Sequence, residues 1–478
     1  MNGAPRPRRG TLSRRGVLKS GVALAGVGAL SSRLATASVA AALRRPDSLP
    51  YPNVAPGTPN ARFPIDHVVV VMMENHSFDN YLGFLSRRGK PAADGFHFDA
   101  RGRPVDANPA PAGGYIRAFS MPSACQMESE PNQSWNATHK AVAGGAMTGF
   151  VAASGDVAMG YWTDADLPFY YSLAKNFALA NRWFASTQGQ TYPNRRFLHA
   201  ATAYGLVNTV TPGPTDPPPP NGTIFDRLNA YGVSWTNYFT DLPQTAIIPS
   251  TVERNPTHLA PITQFYADAA AGRLPAVSLV DPDFGLADVI GGLVPGQPIP
   301  TSVRAQGQDE ENPQNVRFGE AFVAQVVNAV IASPSWGRTL LIWLYDEHGG
   351  YYDHVPPPPA LAPDGIPPAI GPTDFQAGYD AYGLRVPAVV VSPWARPASV
   401  TNVVHDHTSI LAFIEQKWNL PALTLRDANA ASLLDFLDFR RPAMLHPPVL
   451  AAPSDPVAAD RTCSTSDPGV QPQPNPPR

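Results

Sequence analysis

Two uninterrupted apolar runs, each closed by acidic and amide side chains, constrain this chain more than any other feature. Ile65–Met73 contains Val68 to Val71 without a break, and Thr339–Tyr345 reads TLLIWLY. Such runs read as strands covered on both faces, as in a parallel sheet. Ala276–Val280 and Val386–Val391 read as further strands. Gly319–Ala332 has helical spacing and stops before Pro334, and Thr408–Trp418 is an amphipathic helix. Strands alternating with helices predict an α/β fold, a sandwich around a mostly parallel central sheet. Sites in such sheets lie at the carboxyl ends of strands.

The two apolar runs end in chemistry. The first continues as Glu74-Asn75-His76-Ser77-Phe78-Asp79-Asn80, the second as Asp346-Glu347-His348-Gly349-Gly350. Glu74, Asp346 and Glu347 are costly to hold close together without a cation. A divalent ion on Glu74, Asn75, Asp346 and Glu347 would relieve that cost. All-oxygen ligation favours Mg²⁺, Mn²⁺ or Ca²⁺, with Zn²⁺ possible. The same residues also read as ordinary caps at helix N-termini, and spacing alone leaves both readings open.

Composition excludes several classes. Lys+Arg 35 against Asp+Glu 38 leaves a net charge of −3, so bulk electrostatic binding of nucleic acid is not expected. Two cysteines exclude a disulfide-rich scaffold and a cysteine-held metal cluster. Cys125 and Cys463 could pair in an oxidising compartment. Residues 1–44 read as a leader: Arg14-Arg15 precedes the apolar Gly21–Leu30 and the small residues Ala35-Thr36-Ala37. The paired arginines resemble a twin-arginine export signal, with Val17 where Phe is common. The expected location is periplasm, cell surface or medium, with at most peripheral membrane contact. Residues 45–448 form the expected folded domain, and 449–478 a Pro-rich disordered tail.

Longer motifs carry a resemblance. Ile65–Gly83 (IDHVVVVMMENHSFDNYLG) resembles the opening signature of the bacterial phosphoesterase family, which holds non-haemolytic-type phospholipases C and acid phosphatases of the alkaline-phosphatase-like superfamily. Further matches come after it in order. They are Trp135–Phe150, Leu167–Asn176, Gly189–Arg195 (GQTYPNR), Asn315–Phe322, Asp346–Val355 (DEHGGYYDHV), Leu384–Trp394 and His405–Trp418. Together they span roughly residues 62–442.

The resemblance implies an alkaline-phosphatase-like fold and a role for each matching residue. Glu74, Asn75, Asp346 and Glu347 become metal ligands. Thr191 falls at the nucleophile. His354 and His139 fall at site histidines, with His354 taken as the acid and His139 its competitor. Asn194 and Arg195 would shape the nucleophile loop. Arg385 reads equally as a phosphate contact or as a structural ion-pair partner. The implied activity is hydrolysis of phosphate esters through a phospho-threonine, led by phospholipase C action on phosphatidylcholine-like lipids. Acid phosphatase action is the alternative, and a secreted binding protein that has lost activity is the rival of another class. Two departures bear on this choice: Gln133 and Glu311 stand where many members of the family carry histidine. The chain also ends without the pair of small C-terminal domains of longer phospholipases C.

Overall fold

The computed structural model describes residues 43–126, 131–286, 295–297, 307–312 and 314–455. Among these residues one sheet of eight strands organises the chain. In chain order its strands are β1 His67–Met73, β2 Ala178–Ala180, β3 Trp235–Phe239, β4 Leu259–Pro261, β5 Val277–Val280, β6 Thr339–Tyr345, β7 Ala388–Val391 and β8 Val400–Thr401. Across the sheet they run β8-β2-β7-β6-β1-β5-β3-β4. Only β7 is antiparallel to its neighbours.

The centre is β1 beside β6. Every residue of β6 is buried, and so are Val68 to Met73 of β1. A strand buried on both faces can be apolar at every position, which is why these two runs carry no alternation. Their register pairs His67 with Thr339 and Met73 with Tyr345. The two strands therefore stop level with each other, and the residues after them begin side by side.

Five helices matter for the site: α1 Phe78–Leu82, α2 Trp135–Val142, α3 Thr191–Ala200, α4 Val316–Ala332 and α5 Thr408–Trp418. α4 lies against the helices at Pro168–Asn176 and Ile262–Ala270, while α5 lies against α3 and Leu425–Asn429. α4 begins earlier than the expected Gly319, because the Asn315 side chain accepts from the Arg317 N–H and caps the first turn. Among the described residues no helix is long and apolar enough to cross a membrane.

The mostly parallel α/β architecture expected from the apolar runs is the one observed. The antiparallel direction of β7 is a departure, since VPAVVV carries no mark of direction. Most of the expected leader and most of the Pro-rich tail lie outside the described residues. Cys125 is disulfide-bonded; Cys463, the chain's other cysteine, also lies outside them.

Candidate active site

The shared ending of β1 and β6 builds the floor of the site. The Asp346 N–H donates to the Met73 carbonyl at 3.1 Å, and the Asn75 N–H to Asp346 Oδ1 at 3.3 Å. The loops can approach this closely because Gly349 has φ +62° and no side chain: a Cβ there would meet the Asn75 carbonyl oxygen at 1.8 Å. Asn75 itself is left-handed, φ 71°. Its side chain is 1% exposed, and both Oδ1 and Nδ2 are buried without a hydrogen-bond partner. Such an orphaned amide in a native site calls for a ligand. Burial raises the Asp346 pKa well above the usual carboxylate range; Arg195 opposes the rise, and the charges of Glu74 and Glu347 add to it. Glu347 Oε2 accepts from the Gly349 N–H at 2.8 Å and lies 3.0 Å from His348 Nδ1. His407 Nε2 holds the Asp346 carbonyl at 2.7 Å. Buried carboxylates and an unsatisfied amide oxygen are donors of the kind a hard divalent cation takes, but the three carboxylates whose oxygens converge within 4.8 Å are those of Glu74, Asp309 and Glu311.

Thr191 is the first residue of α3, at the helix end where negative charge is favoured. The turn before it is held by Asn194. Asn194 Oδ1 accepts from the Thr187 N–H at 3.0 Å, and Nδ2 donates to the carbonyls of Gly189 and Gln190, each at 3.0 Å. Asn194 thus holds the turn before Thr191 and does not line the cavity.

That cavity, of about 170 Å³, joins Thr191 to Glu74, Arg195, Asp309 and Glu311 at one end. Its remaining wall is largely apolar, with Leu242, Ile247, Phe284 and Leu286. Arg195 stitches the two strand ends together: its Nη2 lies 3.2 Å from Glu74 Oε1 and its Nε 3.2 Å from Asp346 Oδ2.

The motifs did not foretell Asp309 as a site residue, and marked Glu311 only as the replacement of an expected histidine. With Glu74, Asp309 and Glu311 present carboxylate oxygens all within 4.8 Å of one another. The residue between them explains how. Glu310 is fully buried with φ 75°, and its carboxyl group accepts from the hydroxyls of Tyr170 at 2.7 Å, Tyr81 at 3.1 Å and Tyr345. The Asp309 carbonyl accepts the Glu74 N–H at 2.9 Å. A caged middle residue therefore presents its two neighbours to the cavity. Three successive acids in a chain only 15% charged were the available signal.

The remaining predicted residues lie elsewhere. His354 is locked between acids, with Nδ1 donating to Asp79 Oδ2 at 2.6 Å and Nε2 3.5 Å from Asp94 Oδ1. Burial alone would lower its pKa, yet Asp79, Asp94 and Asp353 outweigh burial and raise it to about 10. Arg385 is fully buried in the same network. Its Nε and Nη2 engage Asp353, Nη2 also meets Asp79, and Nη1 donates to the carbonyls of Asp94 and Asn181. Every nitrogen is engaged, and neither residue lines the Thr191 cavity. Arg385 thus pairs with Asp79 and Asp353. His139 lines a second cavity of about 270 Å³ with Gln188, Phe375 and Asp380. Its Nδ1–H donates to the Trp135 carbonyl at 2.7 Å, its ring stacks on Phe375, and burial lowers its pKa. The structure therefore brings Glu74 and Thr191 into one cavity, sets Asn75, Asp346 and Glu347 at the same strand ends, and does not bring His354, His139 or Arg385 to it.

The model of the phosphoesterase family matches residues 65–421, the segment that carries all these elements. The chain belongs to the phosphoesterase family. It is a hydrolase of phosphoric esters. Non-specific phospholipase C6 of Arabidopsis thaliana is 32% identical over 80% of this chain and 74% of its own length. Phospholipase C B of Mycobacterium tuberculosis is 28% identical over 82% of each chain. Non-hemolytic phospholipase C of Pseudomonas aeruginosa is 28% identical over 74% of this chain and 54% of its own. Among solved structures, a protein in the alkaline phosphatase superfamily from Vibrio parahaemolyticus matches with a TM-score of 0.34 and 12% identity, over 73% of this chain and 76% of that one.

Proposed function

We propose that the protein is an exported, metal-dependent phospholipase C that cleaves phosphatidylcholine-like lipids through a phospho-threonine at Thr191. One observation carries the reading. Thr191, at the positive end of α3, opens on a cavity that holds Glu74 and Arg195 at one end and Leu242, Ile247, Phe284 and Leu286 along its wall. A polar end beside an apolar wall suits an ester whose leaving alcohol is greasy, and favours a phospholipid over a small polar monoester. The relatives named as phospholipases C support the same choice. Export is supported by Arg14-Arg15 ahead of Gly21–Leu30, within residues that the structure does not describe.

Glu74, Asn75, Asp346 and Glu347 would hold the metal, with Asp309 and Glu311 close to Glu74. When bound, a divalent ion supplies positive charge that makes a threonine hydroxyl a better nucleophile and offsets charge on phosphate oxygens. The protein's own part is positioning. Asn194 sets the turn, the α3 N-terminus favours negative charge at Thr191, and the carboxylates of Asp309 and Glu311 stand in the cavity as proton acceptors. Thr191 Oγ forms a bond to phosphorus as its proton leaves, and the bond from phosphorus to the lipid alcohol breaks. The carboxylate that accepted the Thr191 proton returns it to the departing alcohol. Water then attacks phosphorus, the Thr191 oxygen leaves and regains a proton, and the phosphorylated head group is released.

The test compares p-nitrophenyl phosphorylcholine with p-nitrophenyl phosphate, each with EDTA and with added Mg²⁺, Mn²⁺, Ca²⁺ or Zn²⁺. Diester hydrolysis that EDTA abolishes, and that is lost in Thr191→Ala, is the expected result. Preference for the monoester would make the enzyme a phosphatase. Substantial turnover by Thr191→Ala would remove the covalent route.

A further inference from the structure

Arg195 is the only positively charged side chain among the described residues that line the Thr191 cavity. It is 1% exposed. Two of its three nitrogens are engaged. Nε meets Asp346 at 3.2 Å, and Nη2 meets Glu74 at 3.2 Å and the carbonyls of Met72 and Met73 at 3.3 and 3.4 Å. Nη1 is buried and has no hydrogen-bond partner. An arginine does not give up its charge in a protein, so this is a permanently ionised donor held away from water. Leaving a charged donor unsatisfied is costly, and native proteins tolerate it chiefly where a ligand completes the bond.

The side chain also cannot turn away. Two carboxylates fix its plane from one edge, and the Phe284 ring centroid lies 5.3 Å from its central carbon. Arg195 lies four residues after Thr191 in α3, which puts both on one face of the helix. A ligand that reaches Thr191 at phosphorus thus has a fixed N–H donor one helical turn away.

We propose that Arg195 Nη1 donates to a non-bridging phosphoryl oxygen of the ester that Thr191 attacks, and that this bond strengthens as charge builds on that oxygen in the transition state. This inference rests on the phosphoesterase reading above. It also sets substrate polarity, with the phosphoryl group at Arg195 and the leaving alcohol along the apolar side chains that line the same cavity, Leu242, Ile247 and Leu286. The charge of Arg195 is already matched by Glu74 and Asp346. Its contribution is therefore a directed bond rather than bulk attraction, and it belongs in kcat more than in KM.

The test uses the full chain, saturated with whichever divalent ion supports wild-type turnover, and the variant Arg195→Lys. Lysine keeps a positive charge beside Glu74 and Asp346 but lacks the fork that presents Nη1. The expected result is a loss of about 10² to 10³ in kcat with KM little changed. Binding of inorganic phosphate, measured by calorimetry, should weaken by at least about tenfold in the same variant. Wild-type kcat at saturating metal, or unchanged phosphate affinity, would overturn the proposal and leave Arg195 as a holder of the two strand ends. Phosphate binding is read whether or not the protein turns over. If phosphate binds through Arg195 but no ester is cleaved, the hydrolase reading fails and the anion site stands. Should Arg195→Lys not fold, the wild-type protein answers by ¹⁵N NMR. A slowly exchanging guanidinium signal should shift on phosphate saturation, and the absence of any shift overturns the proposal.

Discussion

At the scale of the residue, the site is defined by groups whose bonding is incomplete. Asn75 is the sharpest case, with both polar atoms of a buried amide unpaired. Asn75→Ala should weaken divalent-metal affinity by at least about tenfold, since even outer-shell changes cost roughly 10 to 100-fold. Calorimetric titration with Mg²⁺ and Mn²⁺ checks this, and unchanged affinity would remove Asn75 from the ligand set. This residue was legible in the sequence, because the strand ending before it fixed its place beside Asp346. His354 was singled out in the sequence only through its motif. The motif could not convey that Asp79, far away in sequence, accepts a hydrogen bond from its Nδ1. Arg195 illustrates the reverse failure. Its motif placed it four residues after Thr191, but its bonds to Glu74 and Asp346 are tertiary and left no trace in local spacing.

At the scale of the element, two loops position the carboxylates, and each depends on a backbone requirement. Gly349→Ala would drive a methyl group into the Asn75 carbonyl and strain a left-handed residue. Turnover and metal binding should fall together in that variant, while far-ultraviolet circular dichroism stays close to wild type. Glu310→Ala would leave the hydroxyls of Tyr81, Tyr170 and Tyr345 without their shared acceptor. A loss of on the order of 3 kcal/mol in urea unfolding is expected, as each buried hydroxyl left unpaired costs about 1 kcal/mol or more. An unchanged midpoint would show that the cage does not hold the Asp309–Glu311 loop. The β1 and β6 strands were readable because both are buried on both faces and long. Trp235–Phe239 was not, because WTNYF mixes polar and aromatic residues. The helix Thr191–Ala200 was equally hidden. It is ten residues long, contains Pro193, and buries Asn194, Arg195, Arg196 and His199, so it shows no apolar stripe.

At the scale of the whole molecule, the buried network of Asp79, Asp353, His354 and Arg385 ties the segments after β1 and β6 to the approach to β7. The His354 pKa of about 10 is well above its ordinary 6.5. A raised pKa means that the charged form stabilises the fold. That contribution is complete below about pH 6.5 and is lost as pH rises through about 10. The melting temperature should therefore fall between pH 7 and 10, and His354→Gln should show a shallower fall with a lower value at pH 7. Equal slopes in the two proteins would place the alkaline sensitivity elsewhere. The overall α/β architecture was readable from alternation of strand and helix. The direction of β7 was not, since strand direction is decided by connections rather than by side chains.

The level ending of β1 and β6 has a consequence for how such a chain can change length. One residue added inside either strand advances the downstream residues by about 3.3 Å and turns their side chains to the opposite face. Glu74 and Asp346 would then no longer emerge as neighbours, and no side-chain substitution could restore the match. Residues added to the connecting segments leave this alignment untouched. Insertion scanning should show two intolerant windows, at His67–Met73 and Thr339–Tyr345, separated by long permissive stretches, so that growth of the molecule is confined to its loops.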